Sequence, residues 1–339
     1  MIAKRKGRQW SGDLDEWPEK VPPAVLEAVT CPASQCASRR CPNFSHCAFY
    51  QAREGLSKAD LIVANQNLLL ADMALESETR ILPTPSETIY VIDEGHHFPE
   101  KAIEAFAHST DPKRLIRTAR KARGPLSQLA SLLKVPPTTL DQLVDRFDGA
   151  VNEANRQEQV ILQILADTKV DNSRRERVVS LLLSDAQIAS LTAEPSVIAM
   201  IEALLQNLKS LKLQSDKMVR DGDIPGPQAA TLNMRIGAFR ERLEAMHSAL
   251  VGLQRDRDES GAPLAKWIEV EGLAQRIRVS EISAAAALKP FFADASSVVI
   301  TSATLRAMGS FEAFCDHTGL TARATRALAL PSPFDLPNV

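Results

Sequence analysis

The sequence has no apolar run long enough to span a membrane and no excess of charge of one sign. Its 339 residues include 40 Lys and Arg against 42 Asp and Glu. This balance argues against a globally basic nucleic-acid-binding protein, so any contact with nucleic acid has to come from local patches. The basic residues after Met1 are followed by no apolar run, which excludes a secretory signal. We therefore expect a soluble cytoplasmic protein without membrane-spanning segments.

A phosphate-binding loop of the Gly-x-x-x-x-Gly-Lys-[Ser/Thr] type is also missing. Such a loop wraps nucleotide phosphates in backbone N–H groups and places a lysine beside them. None of the 14 glycines in this sequence is followed by lysine. The 339 residues alone are therefore not predicted to bind and hydrolyse a nucleotide through a loop of this kind.

Cysteine is scarce and unevenly placed. Four of the five cysteines fall within seventeen residues, and in a large chain without a secretion signal such a cluster more often binds metal than forms disulfides. Their spacing is wider than that of most zinc sites, and four thiolates also suit an iron–sulfur cluster, so the spacing leaves both metals open. The remote fifth cysteine is predicted to be a small buried apolar residue. The five are Cys31, Cys36, Cys41, Cys47 and Cys315.

Apolar periodicity predicts an α/β fold in which a helical block interrupts a sheet domain. Three short runs, Leu61–Ala64, Ile89–Ile92 and Val298–Ile300, read as strands of a buried parallel sheet. No strand is predicted between about residues 111 and 262. Two amphipathic helices are predicted there instead, with apolar positions at Val197, Ile201, Leu204, Leu208 and Leu211, and at Leu232, Ile236, Phe239, Leu243, Met246, Leu250 and Leu253.

Two polar motifs follow the predicted strands. Asp93 and Glu94 come directly after Ile89–Ile92, at the strand end where α/β sheets bind ligands. One carboxylate there can hold the Mg²⁺ of a bound nucleotide and the other can activate water. A metal site built from His96, His97 and Glu100 is a rival interpretation, although the spacing does not match His-Glu-x-x-His.

Small hydroxyl residues follow the later strand. Thr301, Ser302 and Thr304 come after Val298–Ile300. Hydroxyls at a strand end can hydrogen-bond a neighbouring carboxylate or a nucleic-acid backbone, but they also commonly cap the next helix.

Taken in this order, the two motifs resemble motifs II and III of superfamily 2 helicases. The Asp93-Glu94-Gly95-His96 sequence followed by His97 resembles the DinG-like branch, which is related to the XPD family. Gln66 stands where the family often has His. Other similar segments are Ala59–Leu70, which resembles the family's Val-x-Asn-His-x-Leu-Leu segment, Gly261–Pro263 with Lys266-Trp267, and Ser332–Phe334.

The resemblance implies part of a RecA-like parallel-sheet motor domain with a small iron–sulfur insertion and a mainly helical arch insertion. Residues 1–58 would hold part of the iron–sulfur domain, 59–110 and 263–330 the motor domain, and 111–262 the arch. Residues 331–339 would begin the link to a second motor domain. Because the family places its phosphate-binding loop before the cysteines, we expect a chain truncated at both ends and inactive by itself.

The implied function is ATP-dependent 5′→3′ unwinding of DNA from a single-stranded region, in DNA repair or under replication stress. A monomer would act on single-stranded DNA and DNA junctions. Asp93, Glu94 and His96 would be catalytic, with Mg²⁺ and ATP in the full-length enzyme, and Thr301, Ser302 and Thr304 would couple hydrolysis to movement. Cys36, Cys41 and Cys47 would ligate a 4Fe-4S cluster. The family's remaining ligand lies further upstream, so Cys31 is either a neighbour or a substitute.

A basic stripe is the candidate contact with DNA. Lys113, Arg117, Arg120 and Lys121 share one face at helical spacing, and such a stripe can track a single strand or can simply be a solvated helix face. Two other classes of function stay open: a non-catalytic metal-bearing module that binds single-stranded DNA, and a helical interaction protein.

Overall fold

The computed structural model describes residues 16–17, 21–22, 25, 30, 36, 41, 44–75, 80–168, 178–257, 261–321 and 325–331. Cys31 and the Ser332–Phe334 segment lie outside the described residues, as does most of the predicted iron–sulfur domain before residue 44.

The described residues form α-helices, a few single-turn helices and short strands. The helices are α1 (Ala48–Leu56), α2 (Gln66–Met73), α3 (Phe98–Phe106), α4 (Pro112–Leu132), α5 (Pro137–Asp167), α6 (Asp185–Leu191), α7 (Pro195–Asp221), α8 (Gly226–Gln254), α9 (Ala285–Asp294) and α10 (Glu312–Thr318). The strands are β1 (Ile89–Ile92), β2 (His108–Thr110), β3 (Val179–Leu182), β4 (Leu264–Glu271), β5 (Ala274–Glu281) and β6 (Ser297–Ile300).

Two compact units divide these elements. The first, called the helical unit, comprises the described residues within 1–58, 108–258 and 264–280. The second, called the motif unit, comprises those within 59–107, 259–263 and 281–339. Each unit is therefore assembled from segments that are far apart in the sequence.

Long helices provide the core of the helical unit. The predicted apolar stripe of α8 is buried at all seven positions, and Leu204 and Leu208 of α7 are buried as well. Phe239 packs on Phe147 of α5 with their ring centroids 4.6 Å apart. This burial confirms both predicted amphipathic helices. Such a helix is stable when neighbouring helices cover its apolar stripe.

A four-stranded sheet belongs to the same unit, and the prediction of a strand-free stretch is wrong at β3. The strand order is β2-β5-β4-β3, with β2 antiparallel to β5 and β3 antiparallel to β4. Residues 264–280 form β4 and most of β5 and group with the helical unit. Their strand partners are residues 108–110 and 179–182, so pairing over a long sequence distance decides their place.

The motif unit contains the parallel strand pair, and the α/β class is confirmed. Strands β1 and β6 pair in parallel, as their continuous apolar runs predicted. Alternate side chains of the two strands pack against a small core, while Ile89, Val91 and Val299 face the other way and are 69%, 70% and 49% exposed. The core residues are Leu70, Ile92, Phe98, Ala102, Ala284, Leu288 and Phe291.

The predicted strand at Leu61–Ala64 is wrong. These residues take no regular secondary structure, and Leu61 and Val63 are 82% and 90% exposed. A strand needs a hydrogen-bonded neighbour, and among the described strands β1 and β6 pair only with each other. Apolar composition alone therefore did not make this segment a strand.

Within the described residues no single helix is both long and apolar enough to cross a membrane. One bent pair, Asp185–Leu191 with Pro195–Asp221, passes that test by length and composition when its two helices are taken together.

Candidate active site

The register of β1 and β6 brings the two polar motifs side by side. Ile92 pairs with Ile300, so both strands end at the same edge. The pairing continues past the strands, since Thr301 N–H donates to the Ile92 carbonyl at 2.9 Å and Gly95 N–H donates to the Thr301 carbonyl at 2.9 Å. The carboxyl end of a parallel pair is where α/β proteins place ligands.

Asp93 and Glu94 occupy the turn directly after β1. Asp93 Oδ1 accepts the Glu94 N–H at 2.9 Å and lies 3.5 Å from Thr301 Oγ1. Glu94 adopts φ 48° and ψ 44°, in the left-handed region. A residue with a Cβ loses roughly 1–2 kcal/mol in that conformation, so the surrounding contacts have to hold it there. Both carboxylates are exposed, as groups that meet a soluble ligand must be.

His96 connects Glu94 to the hydroxyl motif. Its Nδ1 lies 2.7 Å from Ser302 Oγ and 3.2 Å from Glu94 Oε2. Ser302 Oγ also lies 3.5 Å from Glu94 Oε2 and accepts the Thr304 N–H at 3.2 Å. Because a carboxylate only accepts hydrogen bonds, we assign the imidazole proton to Nδ1. Ser302 can then accept from His96 and Thr304 and donate to Glu94.

The hydroxyl motif does not contact the carboxylates at every position. Thr301 is paired with Asp93 and Ser302 with Glu94, whereas Thr304 Oγ1 reaches Ser302 Oγ at 3.4 Å. The structure thus brings Asp93, Glu94, His96, Thr301 and Ser302 together. Thr304 contacts Ser302 but neither carboxylate.

Gly95 is required by the close approach of the two strands. A Cβ added at this residue would lie 2.1 Å from Ile300 Cγ2 and 3.4 Å from the Thr301 carbonyl oxygen. Only a residue without a side chain lets the turn after β1 stay hydrogen-bonded to β6. The glycine of the Asp-Glu-Gly-His motif is therefore a packing requirement that keeps the two motifs adjacent.

Sequence reasoning noted Gln66, the first residue of α2, as a departure from the family but assigned it no role. Its Nε2 donates to the Asp93 carbonyl at 2.6 Å and to the Glu94 carbonyl at 3.3 Å. The signal available in the sequence was its position in the segment that resembles the family, where it replaces a histidine. Nothing in the local sequence indicated that its side chain would reach a turn 27 residues away.

The cysteine segment contains small aromatic contacts. Cys47 immediately precedes α1, and its N–H donates to the Phe44 carbonyl at 3.1 Å. Phe44 and Tyr50 pack with ring centroids 4.6 Å apart, and Cys36 Sγ lies 3.9 Å from the Tyr50 hydroxyl. These contacts place the aromatic side chains against the cysteine segment itself.

Nothing in the described part of the chain is a preassembled metal site. No group of three or more His, Cys, Asp or Glu side chains there is positioned to hold a metal ion. Cys36 is exposed and Cys41 and Cys47 are half-buried, so their thiols suit a metal by type but are not gathered around one. Cys315 is half-buried rather than buried, and burial, followed by Asp316 and Glu312, raises its pKa.

The predicted basic stripe lies on the exposed face of α4. Lys113, Arg117, Arg120 and Lys121 are all exposed, and no carboxylate of the described residues is within ion-pair distance of them. The helix contains no acidic residue. Burial and then the neighbouring Arg114 lower the pKa of Arg242 on α8, whereas Glu241 and Asp111 act in the opposite direction.

Comparison with known proteins identifies the relatives of the chain. Residues 37–115 match the DEAD_2 family model. The whole chain aligns with the ATP-dependent DNA helicase DinG of Photobacterium profundum at 28% identity. It aligns over 98% of its length with the protein of the same name from Escherichia coli K12 at 26% identity. The predicted resemblance to DinG-like helicases is confirmed.

The extent of the similarity also matters. The chain spans about half the length of the curated relatives that it matches, 49% of the Photobacterium DinG and 47% of the Escherichia coli DinG. The DEAD_2 match includes Cys41 and Cys47, the acidic motif and the first residues of α4. The Thr301–Thr304 motif lies beyond that match but within the alignment to the Photobacterium DinG, which covers 100% of this chain.

Proposed function

We propose that the chain is a motor segment of an ATP-dependent DNA helicase. The observation that carries the proposal is the juxtaposition of Asp93 and Glu94 with Thr301 and Ser302 at the shared end of two parallel strands. The similarity of the whole chain to DinG helicases supports the same function. A non-catalytic DNA-binding module is the second candidate, because the sequence contains no Gly-Lys pair.

The side chains have distinct roles in ATP hydrolysis. Asp93 would hold the Mg²⁺ of a bound nucleotide, which would supply charge neutralisation at the phosphates. Glu94 orients the attacking water and accepts a proton from it. His96 and Ser302 hold the Glu94 carboxylate through the contacts at 3.2 Å and 3.5 Å. Thr301, Ser302 and Thr304 transmit changes at the carboxylates to β6.

The experiment that tests this role replaces Glu94 by Gln in a form of the protein that hydrolyses ATP. The amide keeps the shape of the side chain but cannot take a proton, so turnover should be abolished while nucleotide binding is largely retained. Glu100→Gln, which alters an exposed carboxylate on α3, is the matched control. Hydrolysis that survives in Glu94→Gln as in the control would refute the catalytic proposal and favour the binding module.

The 339-residue chain by itself is a second test. We expect no DNA-stimulated ATP hydrolysis above background, because no glycine in it is followed by the lysine of a phosphate-binding loop. Robust hydrolysis by this purified chain would mean that phosphate is bound by other residues.

The organisation of the chain follows the two compact units. The motor segments are residues 59–107 and 281–330, and the insertion comprises residues 108–258 and 264–280, because β2, β4 and most of β5 belong to the helical unit. The family resemblance supports residues 1–58 as a cysteine domain, and the described residues within this range group with the helical unit.

Cys36, Cys41 and Cys47 are the proposed thiolate ligands of a 4Fe-4S cluster. The donor type and the family resemblance support the cluster, whereas the arrangement of the described cysteines does not gather them. Anaerobic purification with iron, zinc and sulfide analysis is the test, and a brown protein with an iron-dependent absorbance is expected. Stoichiometric zinc without iron would contradict it. Cys31→Ser should weaken iron retention only if Cys31 is the fourth ligand.

Single-stranded DNA is the proposed binding partner, and the basic stripe of α4 is proposed to form part of its binding surface. The affinity for single-stranded DNA falls as salt rises. If the stripe contacts phosphates, replacing Lys113, Arg117 and Lys121 by Ala should make the slope of log affinity against log salt concentration shallower by about 0.7 for each lost contact. The control variant replaces Lys209, Lys217 and Arg220 of α7 by Ala, which removes the same three positive charges from another exposed part of the helical unit. Equal effects of the two triple variants would show that only net charge matters.

The direction of movement and the cellular role rest on the resemblance. We propose 5′→3′ translocation by a cytoplasmic monomer that acts on DNA junctions in repair. Duplexes with only a 5′ tail should be unwound, and duplexes with only a 3′ tail should not. Unwinding of the 3′-tailed substrate alone would reverse the proposed polarity.

A further inference from the structure

Gln66 spans the turn that carries the two proposed catalytic carboxylates. Its Nε2 faces two consecutive carbonyl oxygens, Asp93 O at 2.6 Å and Glu94 O at 3.3 Å. Carbonyl oxygens only accept hydrogen bonds, so the NH₂ end of the amide has to face them, and its two hydrogens match the two acceptors. The side chain is thus a clamp on the backbone of the turn.

The turn held by this clamp has an unfavourable conformation. Glu94 is in the left-handed region, where side chains are disfavoured. A shift of Glu94 to the right-handed region would rotate its carbonyl away from Gln66 and redirect its carboxylate away from His96 and Ser302. The two backbone contacts of Gln66 therefore favour the conformation in which Glu94 Oε2 lies 3.2 Å from His96 Nδ1.

The other end of the amide has no matching contact. Gln66 Oε1 is buried, and no hydrogen-bond partner for it exists among the described residues. A buried acceptor without a partner destabilises a folded protein. The amide is consequently a poor choice for packing alone, and its benefit must come from the donor end, which holds the turn.

We propose that Gln66 is a positioning residue that aims the Glu94 carboxylate for nucleotide hydrolysis. The inference rests on the proposed function for its catalytic consequence, while its structural part is independent of it. Gln66 does not touch the reacting atoms and acts only through the backbone of Asp93 and Glu94. Replacement by Met, which has similar length but no donor, separates this role from packing, because it also removes the unpartnered Oε1.

The structural part is tested on the 339-residue chain by ¹⁵N NMR of the histidine rings. In the unaltered chain His96 should be the Nδ1–H tautomer, since Nδ1 faces Glu94 and Ser302. In Gln66→Met the His96 signal should move towards the tautomer mixture of a free imidazole. Asn67→Met, at the next, exposed position of α2, is the control and should leave the signal in place. An unchanged His96 signal in Gln66→Met would overturn the proposal.

The catalytic part is tested by ATP hydrolysis in a form of the protein that turns over. Gln66→Met should lower kcat roughly ten- to a hundredfold, the cost of misplacing a catalytic group, with KM for ATP and the thermal midpoint close to those of Asn67→Met. Gln66→His, which returns one N–H donor, should recover part of kcat. A kcat loss that follows a fall in thermal midpoint would assign Gln66 a structural role instead.

The two levels fail in different ways. If Glu94→Gln abolishes hydrolysis but Gln66→Met does not reduce it, the positioning role is wrong and the proposed function stands. If Glu94→Gln leaves hydrolysis unchanged, the proposed function is wrong, and with it the catalytic part of this inference.

Discussion

In the helical unit the apolar face of α8 is buried along its whole length, whereas in the motif unit β1 leaves Ile89 and Val91 exposed on one side. The first unit is stabilised by a large continuous core. The second has a core of only a few side chains, and its functional turn is held by hydrogen bonds from Gln66, Thr301 and Ser302. Burial therefore stabilises one unit, while polar contacts set the geometry of the site in the other.

The largest expected effect is on the core of the helical unit. Phe239 is fully buried against Phe147, so Phe239→Ala should lower the free energy of unfolding by about 3–5 kcal/mol. Val91→Ala on the exposed face of β1 should change it by less than about 0.5 kcal/mol. Urea unfolding followed by circular dichroism measures both. Similar losses in the two variants would erase the contrast between the units.

A pair of glycines sharpens the comparison. Gly95→Ala forces a Cβ onto Ile300 and should destabilise the motif unit by about 1–3 kcal/mol. It should also separate Glu94 from Ser302. Gly55 lies within α1, and apart from its chain neighbours and the helix backbone no atom lies within 4 Å of the position that a Cβ would take there, so Gly55→Ala should stabilise by up to about 1 kcal/mol. Thermal unfolding of both variants provides the test, and a harmless Gly95→Ala would contradict the close approach of the strands.

The smallest predicted effect is a pH dependence in the helical unit. His108 on β2 keeps an exposed surface, but partial desolvation by the atoms around it, and then Arg255, lower its pKa from the ordinary value of 6.5. The unfolded chain then binds a proton at a higher pH than the folded one, so stability is fully present above pH 6.5 and is lost as the pH falls below it. His108→Gln should flatten the dependence of the thermal midpoint on pH in that range. An equally steep dependence in the variant would assign it to other groups.

The two units also differ in how far the sequence predicted them. The stripe of α8 from Leu232 to Leu253 was predictable because helix periodicity depends on local residues. The pairing of β3 with β4 was not, since it joins residues 179–182 to residues 267–270. Lys266 is buried and donates to the Leu253 carbonyl at 2.9 Å, a contact that no local pattern indicated.

In the motif unit the sequence predicted the residue types of the site but not their supports. Asp93 and Glu94 after β1 and Thr301 and Ser302 after β6 were found from their positions behind apolar runs. The left-handed turn at Glu94 and the reach of Gln66 depend on tertiary contacts that no local pattern records. The failed strand at Leu61–Ala64 shows the same limit, because a strand exists only beside a partner.

The central claim of the proposed function is that the ends of β1 and β6 act as one hydrogen-bonded unit in ATP hydrolysis. The most direct measurement is a double-mutant cycle on kcat between His96→Ala and Ser302→Ala, made in a form of the protein that hydrolyses ATP, because the two side chains meet at 2.7 Å. We predict a coupling energy of about 0.5–3 kcal/mol, with the double variant hardly slower than the slower single variant. Losses that add to within about 0.5 kcal/mol would contradict the claim, because they would show that the two motifs act independently.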